Sequence, residues 1–376
     1  MKSIIALKMA MCFTILPVLL KAQHTPIHLL VGTYTNTGKS EGIYVYSFDP
    51  LSGSLTLKNK ASAENPSFLA ISANKKFVYA VNELNKGEGR VSAFGYDRDT
   101  GRLTFLNTQT TGGDDPCHVI VDKSGKHVIA SNYSGGNFTV FETDNQGHLT
   151  EKKQLIHHEG SGPNKDRQEK PHVHSAFFSP DEQHVLVQDL GIDRIQVYDY
   201  RVHDDQPISL SNIQDVSTTP GGGPRHITFS KNGKYVYLIQ EMGASVSVYA
   251  YNNGLLKPIQ EISILSKNFK GDVGAADIHL SPDGNFLYAT NRGEANDIAI
   301  YAVNTSTGKL SHVTNQSTGG KGPRNFTIAP NGKFLLVANQ YTNNVVVFER
   351  DINTGLLKNN GTSIEVGAPV CLVFDE

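Results

Sequence analysis

Arginine, histidine and glutamate recur in this 376-residue chain beside the ends of short apolar runs, where side chains with proton-transfer and anion-binding capacity can be gathered. In residues 223–241, Arg225 and His226 follow Gly223-Pro224, and Glu241 follows an apolar run ending in Gln240. His118, His174 and Arg324 stand at comparable starts, Glu83 and Arg292 at comparable ends, and Arg167 lies in a polar stretch between runs. Glutamate and histidine can take a proton from water, while arginine offers a permanent charge and a planar fork of donors to an oxygen that is becoming negative. No Gly-x-Ser-x-Gly phrase marks a nucleophile elbow. His157-His158 has no third ligand at useful spacing, so it reads as an exposed loop pair, and no metal or cofactor is expected.

These side chains meet only if the apolar runs are paired strands. In residues 223–241, Ile227 and Phe229 alternate with Thr228 and Ser230, a turn follows at Asn232-Gly233, and Tyr235 to Ile239 run back. Alternation on both sides of Asn-Gly predicts a hairpin, with the two residues supplying the positive φ of the turn. Its open end sets Arg225, His226 and Glu241 side by side.

The same unit starts at Pro66, Pro116, Val173, Pro224, Ala275 and Pro323, recurring roughly every 50 residues. A third strand follows each hairpin, as in Val246-Ser247-Val248-Tyr249. A weaker fourth strand is often announced by Thr-Gly-x-Leu, as at Thr100 to Leu103 and Thr307 to Leu310. Four strands per repeat without a helical period predict an all-β fold, a β-propeller. Residues 369–374 read as a lone first strand, and residues 29–33 and 43–48 as second and third strands lacking a first. Joined, they make a seventh blade that closes the ring and leaves no open sheet edge. A single domain over residues 25–376 follows. The absence of Trp argues against repeats of the Trp-Asp type.

First strands line a propeller's channel, and the start of strand one emerges on the same face as the end of strand two. Cys117, His118, His174, Arg225, His226 and Arg324 are therefore expected at one channel mouth with Glu83, Glu241 and Arg292. Asn82, Asn132, Asn291 and Asn339, also at strand-two ends, are expected to cap turns. The long loop before His174, residues 159–173, overhangs that mouth and offers Lys165, Arg167 and Lys170 to an anion.

Composition narrows the setting. Lys and Arg number 34 against 36 Asp and Glu, a net charge of −2 without the basic stripe of a nucleic-acid surface. Residues 1–22 carry Lys2 and Lys8 before an apolar run that is too short to span a bilayer and ends near Ala22, so they read as a signal peptide. The expected mature chain is exported, periplasmic or secreted, with no membrane span. Cys117 and Cys371 remain in it and are expected as half-buried thiols.

The phrases Ser161-Gly162-Pro163-Asn164, Arg167-Gln168, Pro171-His172-Val173-His174, Gly223-Pro224-Arg225-His226, Gln240-Glu241, Asn291-Arg292 and Gly322-Pro323-Arg324-Asn325-Phe326 follow one another in an order that resembles the seven-bladed propeller lactonases. That family includes 6-phosphogluconolactonase of the cycloisomerase-2 type and, more remotely, fungal carboxymuconate-lactonizing enzyme. The resemblance implies hydrolysis of a 6-phosphogluconolactone-like small-molecule lactone in a central cleft lined by His, Arg and Glu. A phosphorylated sugar lactone is a cytoplasmic metabolite, so the expected export points to an unphosphorylated aldonolactone as the alternative. The reaction is expected to need no metal. Glu241 or His174 would be the general base, and Arg225 and Arg292 would stabilise the oxyanion. Arg167 and Arg324 would hold a remote carboxylate or phosphate, with His118, His226 and Glu83 also lining the cleft. A binding propeller without catalysis, or a lactonizing isomerase using the same Glu and Arg, are the alternative readings.

Overall fold

The computed structural model describes residues 27–209 and 211–376, so the leader read at residues 1–22 lies outside the described residues. The Pro224 hairpin forms between Pro224–Phe229 and Tyr235–Gln240, with Ile227 opposite Leu238. Its turn differs in detail from the expectation. Only Gly233 takes a positive φ, 69°, while Asn232 acts through its side chain, accepting from Ser230 Oγ at 2.7 Å and the Lys234 amide at 3.0 Å.

Each hairpin is extended by two outer strands, giving seven four-stranded antiparallel sheets and no helix among the described residues. Pro369–Phe374 pairs with Ile27–Thr33, which continues to Gly42–Phe48 and Leu55–Ser62, so both ends of the described chain share one blade. The inner strands are Leu69–Ile71, Pro116–Val121, Val173–Phe178, Pro224–Phe229, Ala275–Leu280, Pro323–Ile328 and Pro369–Phe374.

Alternation gives each sheet two apolar faces, and each face is buried against the next blade. Leu186, Ile195 and Val197 of one blade pack with Ile227, Leu238 and Tyr249 of the next. Seven such clusters stand at the seven interfaces, including the two flanking the shared blade. Each buried Leu, Ile or Val contributes about 1.5–3 kcal/mol, so the core is a circle of interfaces around a polar channel.

A polar lock secures the closing blade. Asp375 accepts from the His28 amide at 2.9 Å, from Tyr96 Oη at 3.0 Å and from Arg98 Nε at 3.0 Å. Cys117 and Cys371 are free thiols, fully buried rather than half-buried because both stand on inner strands. His157 is exposed as expected, but His158 is buried, bridging Asp189 at 2.8 Å and Tyr198 at 3.1 Å; it anchors a blade.

Candidate active site

A backbone rule repeated in every blade builds the mouth. The residue just past strand two donates its amide to a carbonyl preceding strand one: in one blade the buried Leu190 to His172, and in the other six Glu241 to Gly223, Arg292 to Gly274, Glu83 to Asn65, Tyr133 to Asp115, Gln340 to Gly322 and Tyr34 to Ala368. The latter six side chains form the outermost ring of the opening. The next ring comes from strand one, where the pairing register shifts across Cys117, His174, Arg225 and Arg324. Such bulges turn a residue out of strict alternation, and Arg225 and His226, though consecutive, therefore share the channel. The third ring, one layer deeper, holds Phe68, His118, His226, Asp277 and Asn325.

Glu241 is the hub. Its Oε2 lies 3.0 Å from Arg225 Nε and 2.9 Å from an Arg292 terminal nitrogen, and its Oε1 lies 2.8 Å from an Arg167 terminal nitrogen. His174 Nε2 stands 4.0 Å from Oε2. Arg225 is 2 % exposed and also donates to the Ala276 carbonyl, whereas Arg167, at 46 %, reaches in from the loop and donates to Tyr133 Oη at 3.2 Å. Lys165 and Lys170 turn instead to the Gly162 and Ser134 carbonyls, at 3.3 and 2.8 Å.

Burial alone would raise the Glu241 pKa, but Arg292, Arg225 and Arg167 outweigh it and hold the carboxyl well below its usual range. The Arg225 pKa is also lowered, to about 10, because burial and the like charges of Arg292 and Arg324 exceed the pull of Glu241 and Asp277; it remains a cation at neutral pH. His174 is lowered well below 6.5 by burial, then by Arg225, His226, Arg324 and Arg292. At neutral pH this ring has an unprotonated imidazole beside an ionised carboxylate. Cys117 Sγ lies 3.9 Å from His174 Nδ1, on the side away from Glu241.

A second group adjoins this hub. Glu83 accepts from Tyr34 Oη at 2.8 Å and from Ser67 Oγ, and the Arg324 guanidinium stands over the Tyr34 ring at 5.4 Å. Arg324 faces Glu83, while Arg167, Arg225 and Arg292 converge on Glu241 alone, so the hub has two positive charges in excess.

His118 and His226 lie below the opening rather than at it. His118 packs between Phe68 and Phe177, with ring centroids at 4.3 and 4.8 Å. His226 bonds Asp277 at 2.9 Å and touches His174 ring to ring at 5.2 Å. Asp277 also accepts from His279 at 2.9 Å and Asn325 at 2.5 Å, so this layer braces the reactive one. Asn82 and Asn339 donate to carbonyls of the loops entering their blades, and Asn291 accepts from the Gly274 amide. Asn132 instead bonds Asn137 at the start of strand three. Among the described residues no three His, Cys, Asp or Glu side chains group as metal ligands.

Tyr34 escaped the sequence reading. The signal for Tyr34 was the position past strand two, which singles it out once the rule is applied to the blade shared by both chain ends.

Comparison with known proteins agrees with this architecture. The family model described as lactonase, 7-bladed beta-propeller, matches residues 28–374. The 6-phosphogluconolactonase of Formosa agariphila is 40 % identical over 333 residues, covering 88 % of this chain and 94 % of its own. That of Bacillus subtilis is 38 % identical over 347 residues, covering 92 % and 97 %. The structure of the periplasmic gluconolactonase of Pseudomonas aeruginosa superposes with a TM-score of 0.88 at 36 % identity, covering 93 % of this chain and 98 % of that one. With the ring of seven blades and a match along nearly its whole length, this chain belongs to the seven-bladed β-propeller lactonases, enzymes that hydrolyse lactones.

Proposed function

We propose that the opening around Glu241 is the active site and that it hydrolyses an aldonolactone to the open-chain acid. The observation that carries this reading is one carboxylate held by three guanidinium groups beside an unprotonated histidine.

Glu241 is a poor general base while three arginines stabilise its ionised form. The His174 pKa is also lowered, by burial and by Arg225, His226, Arg324 and Arg292. Whereas both Glu241 oxygens are held by guanidinium groups, however, His174 Nε2 stands 4.0 Å from Glu241 Oε2 and can take a proton from an attacking water. The water oxygen then bonds the ring carbonyl carbon. Charge developing on the carbonyl oxygen falls to Arg225 and Arg292, with about 3 kcal/mol typical of one well-aimed donor. Collapse breaks the bond from that carbon to the ring oxygen, and the imidazolium returns its proton to the leaving oxygen. Glu241 favours the transient imidazolium and orients both arginines. The excess positive charge receives the carboxylate that the product acid forms.

Acid release from glucono-δ-lactone and from its 6-phosphate, measured in a chelator and corrected for spontaneous opening, tests the assignment. Arg225→Ala and Glu241→Gln should each lower kcat/KM by about 100-fold on the preferred lactone. Turnover unchanged in both variants would remove the site from this opening, and a product other than the open-chain acid would favour isomerase chemistry.

A further inference from the structure

Beside the hub lies a cavity of about 410 Å³ whose lining includes Tyr34, Asn65, Glu83, Asp115, Arg324 and Gln340. Arg324 links it to the reactive centre: burial opposes its charge, but Tyr34, Glu83 and Glu241 outweigh that and raise its pKa. Arg324 thus lines the cavity while lying within electrostatic reach of Glu241, which makes the cavity a neighbour of any lactone held at the hub.

The lining mixes acceptors with groups that also donate, Asn36, Thr37, Asn85 and Tyr341 among them, so its two carboxylates set the balance. Glu83 is oriented by Tyr34 Oη at 2.8 Å and by Ser67 Oγ, which leaves further lone pairs on its oxygens. Gln340 Oε1 is buried without a hydrogen-bond partner. The Asn65 amide is already used: its Oδ1 accepts from the Thr35 and Asn36 amides at 2.9 and 3.1 Å, and its Nδ2 donates to the Glu83 carbonyl at 3.3 Å. Asp115 adds a second carboxylate, so two negative charges stand against Arg324 alone. A hydroxyl group can donate to such a surface. A phosphate at neutral pH brings acceptor oxygens and nearly two negative charges of its own.

Resting on the active-site reading above, we propose that this cavity selects lactones whose far end carries free hydroxyl groups and rejects those whose far end is phosphorylated. Glu83 and Asp115 are the discriminating residues. Arg324 neutralises part of their charge and leaves a net negative lining.

The test compares kcat/KM for glucono-δ-lactone and its 6-phosphate on the full chain and on the Glu83→Gln and Asp115→Asn variants. The unaltered chain should prefer the unphosphorylated lactone by at least about tenfold, and each variant should narrow the ratio by roughly tenfold, chiefly through a lower KM for the phosphate. Asp115→Asn is the safer arm, because Glu83 is tied to two hydroxyl groups whose loss can disturb folding. A preference of the unaltered chain for the 6-phosphate overturns this inference while leaving the active-site reading in place. A ratio unmoved in both variants does the same, and turnover of neither lactone by the unaltered chain overturns both.

Discussion

Three arginines on one glutamate decide which group can move a proton. Glu241 stays ionised, while burial and the nearby Arg225, His226, Arg324 and Arg292 keep His174 unprotonated well below pH 6.5. The acid limb of kcat/KM should therefore fall below pH 6.5, with a plateau above it; a pH–rate profile inflecting at or above 6.5 would point to another base. Stability follows the same titrations. Burial is the largest cause lowering His118, His174 and His226, and His226 reaches about 4. Between about pH 4 and 6.5 the unfolded chain thus binds more protons than the folded one. The contribution is fully present above 6.5 and is lost on acidification through that window. His226 alone accounts for on the order of 3 kcal/mol of it, so Tm should drop between pH 7 and pH 4.5 in thermal melts.

The hairpin aims these residues through its irregularities. Regular alternation would send Arg225 and His226 to opposite faces, and the register shift between Pro224 and His226 puts both in the channel. Gly223 sets up that shift, with φ 68° and an amide bonded to Asp193 Oδ1 at 2.9 Å. A Cβ there would stand 3.0 Å from Met242 Cε and 3.1 Å from Leu190 Cγ. Gly223→Ala should cost about 1–3 kcal/mol in urea unfolding and lower kcat, since the strain lands two residues from Arg225. An unchanged midpoint together with unchanged kcat would mean that the bulge does not depend on this glycine.

Closure of the ring makes the site a property of the whole molecule. Glu241 joins Arg225 of its own blade to Arg292 of the next and to Arg167 from the loop of the preceding one. The circle is locked where Asp375 meets His28, Tyr96 and Arg98. Removing that carboxylate by Asp375→Ala leaves buried donors unpaired and should cost about 2 kcal/mol after allowing for Arg98's access to water. Denaturant unfolding should show the loss as one shifted transition, because each blade is stabilised by both neighbours. A separate early transition for the shared blade would contradict this.

Period and alternation carried most of the architecture. Repeats roughly 50 residues apart, with alternating runs about a turn, allow little besides four-stranded blades, and unmatched first, second and third strands at the chain ends imply the shared blade. Arg225 and Glu241 were legible as neighbours because antiparallel pairing is local: 16 residues separate them across one turn. Arg167, 74 residues from Glu241, and Tyr34, 49 residues from Glu83, are brought to their partners only by the packing of one blade on the next. Bulges leave no mark in polarity, so the depth at which His118 and His226 sit could not be read from the pattern. Which carboxylate stays ionised and which histidine stays neutral depend on burial and on the summed field of side chains from different blades, and those distances exist only in the folded ring.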